Sequence, residues 1–149
     1  MKTSKLALLA FAAAALVFSG LALASSQETY KLHASLNGSQ ETPKNTSKGK
    51  GSFTGKVVEK GKSKTLTWKL TFSGLTGAAQ AAHIHLGKKG VAGPVAIPLC
   101  GPCKSGAHGT AKITEKIVQA FETKKAYANV HTAKYPNGEI RGQVSVSEG

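Results

Sequence analysis

The sequence predicts an all-β fold, a Greek-key antiparallel β-sandwich, and three observations support this prediction. Apolar and polar residues alternate with a period of two in short runs, which is typical of half-buried strands. Glycine-rich turns separate these runs along the chain. Beyond the apolar N-terminus no long helical pattern occurs, and roughly seven or eight short strands are the number expected of one sandwich.

Residues 1–24 are predicted to form a signal peptide. Lys2 and Lys5 precede an apolar run that ends in Ala22-Leu23-Ala24, the small-x-small pattern cut by signal peptidase. The run also approaches the length of a bilayer span, so an uncleaved membrane anchor is the alternative. Cleavage after Ala24 would leave residues 25–149 as a single domain, secreted or held in the periplasm or cell envelope.

The charge of the chain is strongly positive. Its formal net charge is +13, and glutamate supplies every acidic side chain because the sequence contains no aspartate. Such a surface attracts anionic envelope surfaces or polymers and opposes self-association, so we expect a monomer. The lysines are spread over turns and solvent faces without interleaved aromatic residues, and specific nucleic-acid binding is therefore not expected.

The first three strands follow from the alternation. One run covers residues 30–36, places His33 on its solvent face and ends at Gly38. A polar loop over residues 39–51 precedes a second run over residues 53–57, which turns at residues 60–62. The third run is predicted to be a core strand, because four large side chains share one of its faces: Leu66, Trp68, Leu70 and Phe72.

The remaining elements are shorter. A strand over residues 82–86 and another over residues 95–99 precede a loop over residues 100–109 that contains His108. Ala111 and Ile113 indicate a short strand, and the helical spacing that follows predicts one short helix near residues 114–122, with Thr114 as its N-cap. Residues 126–131 alternate again. A turn at residues 136–138 leads to a last strand, which would place Arg141 on the same side of the hairpin as His131.

His83 and His85 form the first candidate site. Successive strand side chains point to opposite faces, so both imidazoles share one face while Ile84 enters the core. Imidazole nitrogens suit copper and zinc, and a third ligand would complete an open site. The alternative is that the rings only hydrogen-bond neighbouring strands and loops. Nearest nitrogens more than about 5 Å apart would exclude a shared ion, since Zn–N bonds are ~2.0–2.1 Å.

Cys100 and Cys103 enclose Gly101 and Pro102, and three roles are open for them. In an exported protein a pair at this spacing predicts a local disulfide that pins a turn. Thiolates could instead bind a metal, with His108 as a neighbour. The same four residues are the dithiol sequence of thioredoxin-like proteins, but there the first cysteine begins a helix, and here the motif follows a strand.

Three stretches resemble the CHRD domain family, named after the growth-factor antagonist chordin and common in exported bacterial proteins. The stretches cover residues 36–43, residues 82–95, which contain the two histidines, and residues 129–143. Their order and spacing extend the resemblance from about Tyr30 to Val146. The resemblance implies a secreted β-sandwich module, and it implies no agreed biochemical activity.

A second similarity concerns copper/zinc superoxide dismutases, which are also Greek-key sandwiches. It implies that His83, His85 and His131 match copper ligands and that Arg141 roughly matches an anion-guiding arginine. This chain departs from that family because it has no aspartate for a zinc subsite and only His108 in the intervening loop. A complete two-metal site is therefore not expected, and His108 stays a candidate additional ligand of a single ion.

The sequence thus predicts an exported, non-enzymatic binding or structural module. It would hold one copper or zinc ion through His83, His85 and His131, with Arg141 in contact with anions. No residue is assigned a catalytic role. The alternatives are a copper-dependent, dismutase-like redox enzyme at the same histidines and a thiol–disulfide oxidoreductase that uses Cys100 and Cys103.

Overall fold

The computed structural model describes residues 26–147, so the predicted signal peptide lies outside the described residues. These residues contain nine strands and one α-helix, and the strand pairings are antiparallel. The strands are β1 (Gln27–Asn37), β2 (Lys50–Lys60), β3 (Ser63–Ser73), β4 (Ala79–Leu86), β5 (Val95–Cys100), β6 (Ala107–Lys112), β7 (Ala126–Thr132), β8 (Ile140–Gln143) and β9 (Ser145–Ser147); the helix is α1 (Glu115–Glu122). The all-β prediction is confirmed.

The strands form one sheet in the order β5-β4-β7-β8-β1-β2-β3-β6, folded so that it nearly closes into a sandwich. β1 joins the two halves. It pairs with β2 along its whole length, while its other edge pairs with β8 at Asn37 and with β9 at Lys31–His33. The end strands β5 and β6 also contact each other. The core fills the space between the two halves.

The core contains most of the side chains that the alternation predicted. Leu66 and Leu70 of β3 are fully buried and Trp68 nearly so, in one cluster with Ile84 of β4 and Val130 of β7, whereas Phe72 is half-buried against this cluster. Helix α1 begins after Thr114, as predicted, and buries Val118 and Phe121. Within residues 26–147 no helix has the length and apolar character needed to cross a membrane.

Several predicted boundaries are wrong. Strands β1, β2 and β4 each begin three residues earlier than the alternation indicated, so residues 50–51 belong to β2 rather than to the polar loop. Two further differences concern β6 and the last strand. Residues 107–109 belong to strand β6 rather than to a loop, because β6 pairs with the edge of β3 and brings Gly109 beneath the indole of Trp68, where a Cβ atom would lie 2.9 Å from the ring. The last predicted strand is two strands, β8 and β9. The chain pairs with β7 up to Val144, and after Val144 it pairs with β1. The turn before it is present, with Gly138 N–H donating to the carbonyl of Tyr135 over 3.0 Å.

The two halves of the sandwich differ on their outer faces. We call the outer side of β4, β7 and β8 the covered face, because the loops at residues 38–49 and 87–94 lie over it and bury its polar side chains. We call the outer side of β1, β2, β3 and β6 the open face, because most of its side chains are exposed. The covered face carries the predicted histidines.

Candidate metal centre

Three imidazoles meet on the covered face. His83 and His85 extend from β4, and His131 extends from the neighbouring β7. The ring centroids lie 5.5 Å apart for the two β4 histidines, and those of His131 lie 4.9 Å and 5.8 Å from His83 and His85. One ligand nitrogen from each ring lies within 4.8 Å of the others. The predicted convergence of the three side chains is therefore confirmed.

Backbone carbonyls fix the orientation of two of these rings. Nδ1 of His85 lies 2.9 Å from the carbonyl oxygen of Gly93, and Nδ1 of His131 lies 3.0 Å from that of Pro136. A carbonyl oxygen only accepts, so each Nδ1 carries the proton and each Nε2 presents a lone pair. Metal-binding histidines typically donate their second nitrogen to such an acceptor.

The free nitrogens are unevenly satisfied. Nε2 of His131 faces Nδ1 of His83 at 3.1 Å, whereas Nε2 of His85 is buried without a hydrogen-bond partner. Buried polar atoms almost always have a partner, and leaving one without costs roughly 1–3 kcal/mol. A metal ion bound between the rings would satisfy this lone pair.

Electrostatics keep the rings ready to act as ligands. Burial lowers the pKa of His83, and it is also the largest cause of the lowered pKa values of His85 and His131. The rings are thus neutral near neutral pH, with lone pairs available. Two nitrogens bound to one ion in a tetrahedral site with bonds of ~2.0–2.1 Å lie about 3.4 Å apart, so the widest pair of ligand nitrogens, within 4.8 Å here, would have to close by up to roughly 1.4 Å.

Tyr127 and Arg141 pack beside the cluster. The Tyr127 ring stacks on His85 at 4.9 Å with an interplanar angle of 5°, and the guanidinium carbon of Arg141 lies 3.5 Å from the Tyr127 ring centre. The guanidinium also donates to the Lys88 carbonyl over 3.0 Å. Arg141 therefore helps hold the ring that supports His85; its contact with an anion stays a prediction.

The other predicted residues lie elsewhere. His108 is exposed on β6, where Nδ1 lies 3.2 Å from the Gly106 carbonyl, and it is not part of the cluster. Cys100 and Cys103 form a disulfide with an S–S distance of 2.15 Å. Strand β6, not a helix, follows Cys103, so the helix N-terminus that activates a thioredoxin-like cysteine has no counterpart in this part of the structure.

Three polar residues of the covered face, Glu41, Asn129 and Glu139, are buried although the sequence did not predict it. Asn129 lies between His83 and Arg141 in the strand register, and its amide donates to a carboxylate oxygen of Glu41 over 2.6 Å. Burial raises the pKa of Glu41 to about 7, although the charge of Arg141 and the Asn129 hydrogen bond oppose this shift. The alternation of Tyr127, Asn129 and His131 could have revealed Asn129, but no local signal marks Glu41.

The raised pKa of Glu41 makes stability depend on pH. The folded state binds this proton more tightly than the unfolded chain, so the stabilisation is complete below about pH 4.5 and is lost as pH rises through about 7. We expect Glu41→Gln to remove this loss, so that wild type weakens relative to the variant by about 1–3 kcal/mol over that interval. Urea unfolding of both proteins at pH 4.5, 6 and 8 measures the difference; parallel curves would contradict it.

The fold and the cluster together define an all-β module that carries three histidines on a loop-covered sheet face. The CHRD domain family model matches residues 32–144, a span that contains all three histidines, and the chain belongs to the CHRD domain family. The resemblance seen in the sequence is thereby confirmed. No curated protein and no solved structure significantly matches the chain. Family membership and the disulfide both fit an exported protein.

Proposed function

We propose that this protein is an exported binding or structural module, cleaved after Ala24, that holds one copper or zinc ion through His83, His85 and His131. The convergence of the three imidazoles carries the proposal. Its strongest detail is the buried Nε2 of His85, which has no hydrogen-bond partner while its Nδ1 is held by Gly93.

The donor set favours nitrogen-loving metals. Within residues 26–147 the cluster contains neither a carboxylate nor a thiolate, which argues against magnesium and calcium. Copper(II) binds such a site more tightly than zinc in the usual order of affinities, and zinc remains the second candidate. Three protein ligands leave at least one coordination position for water or another small ligand.

Metal titration of the purified mature protein tests the proposal. We expect wild type to bind one equivalent of copper(II), and His85→Ala to weaken binding by roughly 100-fold or more, since even losing a supporting contact costs ten- to a hundredfold. His33→Ala and His108→Ala are matched controls, because both imidazoles are exposed on the open face.

The controls should bind copper as wild type does. Thermal unfolding without metal checks that His85→Ala is folded. Equal affinities of wild type and His85→Ala would show that copper binds elsewhere, and a loss of binding in both control variants would point to non-specific capture by surface imidazoles.

A dismutase-like copper enzyme is the second candidate. The open coordination position that three histidines would leave on a bound ion favours it, whereas Arg141 lies on the same sheet face but is buried against Tyr127. Superoxide turnover by the copper-loaded protein separates the two functions. A rate that exceeds that of the same copper bound to His85→Ala would support the enzyme, and equal rates would support the binding module.

A further inference from the structure

The open face is regular and uncovered. β1, β2 and β3 are long and pair residue for residue from Lys50 to Lys60 without a bulge, and β6 continues the register on β3. Across the strands, three gaps of about 4.8 Å separate the four strands and give a width of roughly 14 Å. Along the strands, the six steps of ~3.3 Å between seven residues give a length of roughly 20 Å. No loop of the described residues supplies contacts that bury it, in contrast to the covered face.

Cations and hydroxyl groups dominate this face. Alternation with the buried core residues identifies the outward positions. The central outward side chains are Thr29, Lys31, His33 and Ser35 of β1; Lys50, Ser52, Thr54, Lys56 and Val58 of β2; Thr65, Thr67, Lys69 and Thr71 of β3; and His108, Thr110 and Lys112 of β6. These positions hold no acidic side chain and no Phe, Tyr or Trp.

The lysines of the open face are not used to form ion pairs. The ion pairs found among residues 26–147 join Lys64 to Glu59 and Glu115, and neither involves the open face. Lys31 and Lys56 stand directly opposite each other in the register. Like charges in opposite positions destabilise a sheet pair, so this arrangement opposes the stability of the isolated protein. An external anion would relieve that repulsion.

We propose that the open face binds an extended anionic polysaccharide. The lysines are spread both along the strands and across them, so they can pair with the regularly repeated negative charges of such a polymer. The serine and threonine hydroxyl groups both donate and accept hydrogen bonds, as the hydroxyl groups of sugars require. A nucleic acid fits less well because single strands need aromatic stacking platforms. A bilayer fits less well because the half-buried Val58 is the one apolar side chain among these outward positions, and membrane-binding surfaces insert several large apolar side chains.

Binding to alginate, a carboxylated polysaccharide, tests this proposal with neutral dextran as the control polymer. The triple variant Lys31→Gln, Lys56→Gln, Lys69→Gln removes three charges from the open face. The matched variant Lys89→Gln, Lys116→Gln, Lys134→Gln removes three exposed charges from loops and from α1. We expect the first variant to lose about tenfold or more in alginate affinity at low salt and to depend less on salt, and the second to lose much less.

Each outcome decides the proposal. If both triple variants lost the same amount of alginate affinity, the loss would depend only on net charge and not on the open face, and the proposal would be overturned. Duplex DNA or anionic vesicles that bind more tightly than alginate through the same three lysines would overturn the polysaccharide assignment. His85→Ala should keep the alginate affinity of wild type. The alginate result therefore does not depend on whether the protein binds copper. Unfolding curves of both triple variants confirm that they are folded.

Discussion

Replacing Glu139 by alanine should lower the free energy of unfolding by about 3–5 kcal/mol, because its carboxylate accepts four hydrogen bonds and each bond to a charged group contributes roughly 1.5–3 kcal/mol before water replaces it. The Glu139 side chain has no exposed surface. Its two oxygens accept hydrogen bonds from the hydroxyl groups of Ser47, Thr76 and Thr132 and from the backbone N–H of Thr76, over 2.6–2.8 Å. One carboxylate thus joins three chain segments.

The charge of Glu139 is maintained without a cation. Burial raises the pKa of Glu139, but the hydrogen bonds from Ser47, Thr132 and Thr76 together lower it by more. The pKa of Glu139 therefore lies below its ordinary value. The carboxylate therefore stabilises the fold above the unfolded-state pKa of about 4.5, and this contribution is lost as pH falls through the lower folded-state pKa. Alanine would leave the buried hydroxyl group of Thr132 without this acceptor at any pH, and it would also remove the bonds that hold Ser47 and Thr76.

Urea unfolding at pH 7 measures the effect, with Glu122→Ala as the control. Glu122 lies exposed at the end of α1, so its replacement should change stability by less than about 0.5 kcal/mol. Glu139→Gln should fall between the two, because its amide oxygen can still accept from the Thr76 N–H. A cost below 1 kcal/mol for Glu139→Ala would show that the network does not stabilise the fold.

Gly142→Ala should destabilise the protein by about 3 kcal/mol or more. A Cβ atom at this position would lie beside the backbone of β1, 2.8 Å from the carbonyl carbon of Ser35 and closer still to its oxygen. These are backbone atoms, so no side-chain rotation relieves the contact. The β8 strand would have to move away from β1 at the point where the two halves of the sandwich join.

Gly77→Ala is the matched control for that substitution. A Cβ atom at Gly77 would meet nothing within 4 Å, and no unusual φ restricts the residue. Its replacement should change the free energy of unfolding, measured with urea, by less than about 0.5 kcal/mol. Similar losses in the two variants would attribute the effect of Gly142→Ala to glycine replacement in general rather than to contact with Ser35.

The sequence predicted the features that depend on parity along a strand. His83 and His85 share a face because they are two residues apart, and the alternation around Tyr127 places His131 on the matching face of β7. The pairing of β4 with β7 depends on the tertiary structure, and the similarity to copper/zinc superoxide dismutases, rather than any local pattern, suggested that His131 joins His83 and His85. The disulfide and the helix at α1 likewise followed from short-range spacing.

Features that depend on loop packing could not be predicted. Glu41, Asn129 and Glu139 are polar and would be expected to face solvent, yet each is buried because loops fold back over the outer face of the sheet. The first half of strand β6, residues 107–109, was missed for a related reason. Gly109 and the neighbouring Gly106 suggest a loop, whereas Gly109 is required by the indole of Trp68 on the neighbouring strand.

The double pairing of β1 sets the order in which the chain can reach its final structure. The β1-β2-β3 meander needs only neighbouring residues, so it can form early, as local contacts generally do. The other edge of β1 pairs with residues more than a hundred positions later in the chain, so it remains unpaired until β8 and β9 fold against it. During that interval its unpaired N–H and C=O groups can recruit another chain. Aggregation during refolding should therefore begin at β1, and any C-terminal truncation that removes β9 should prolong this vulnerable period.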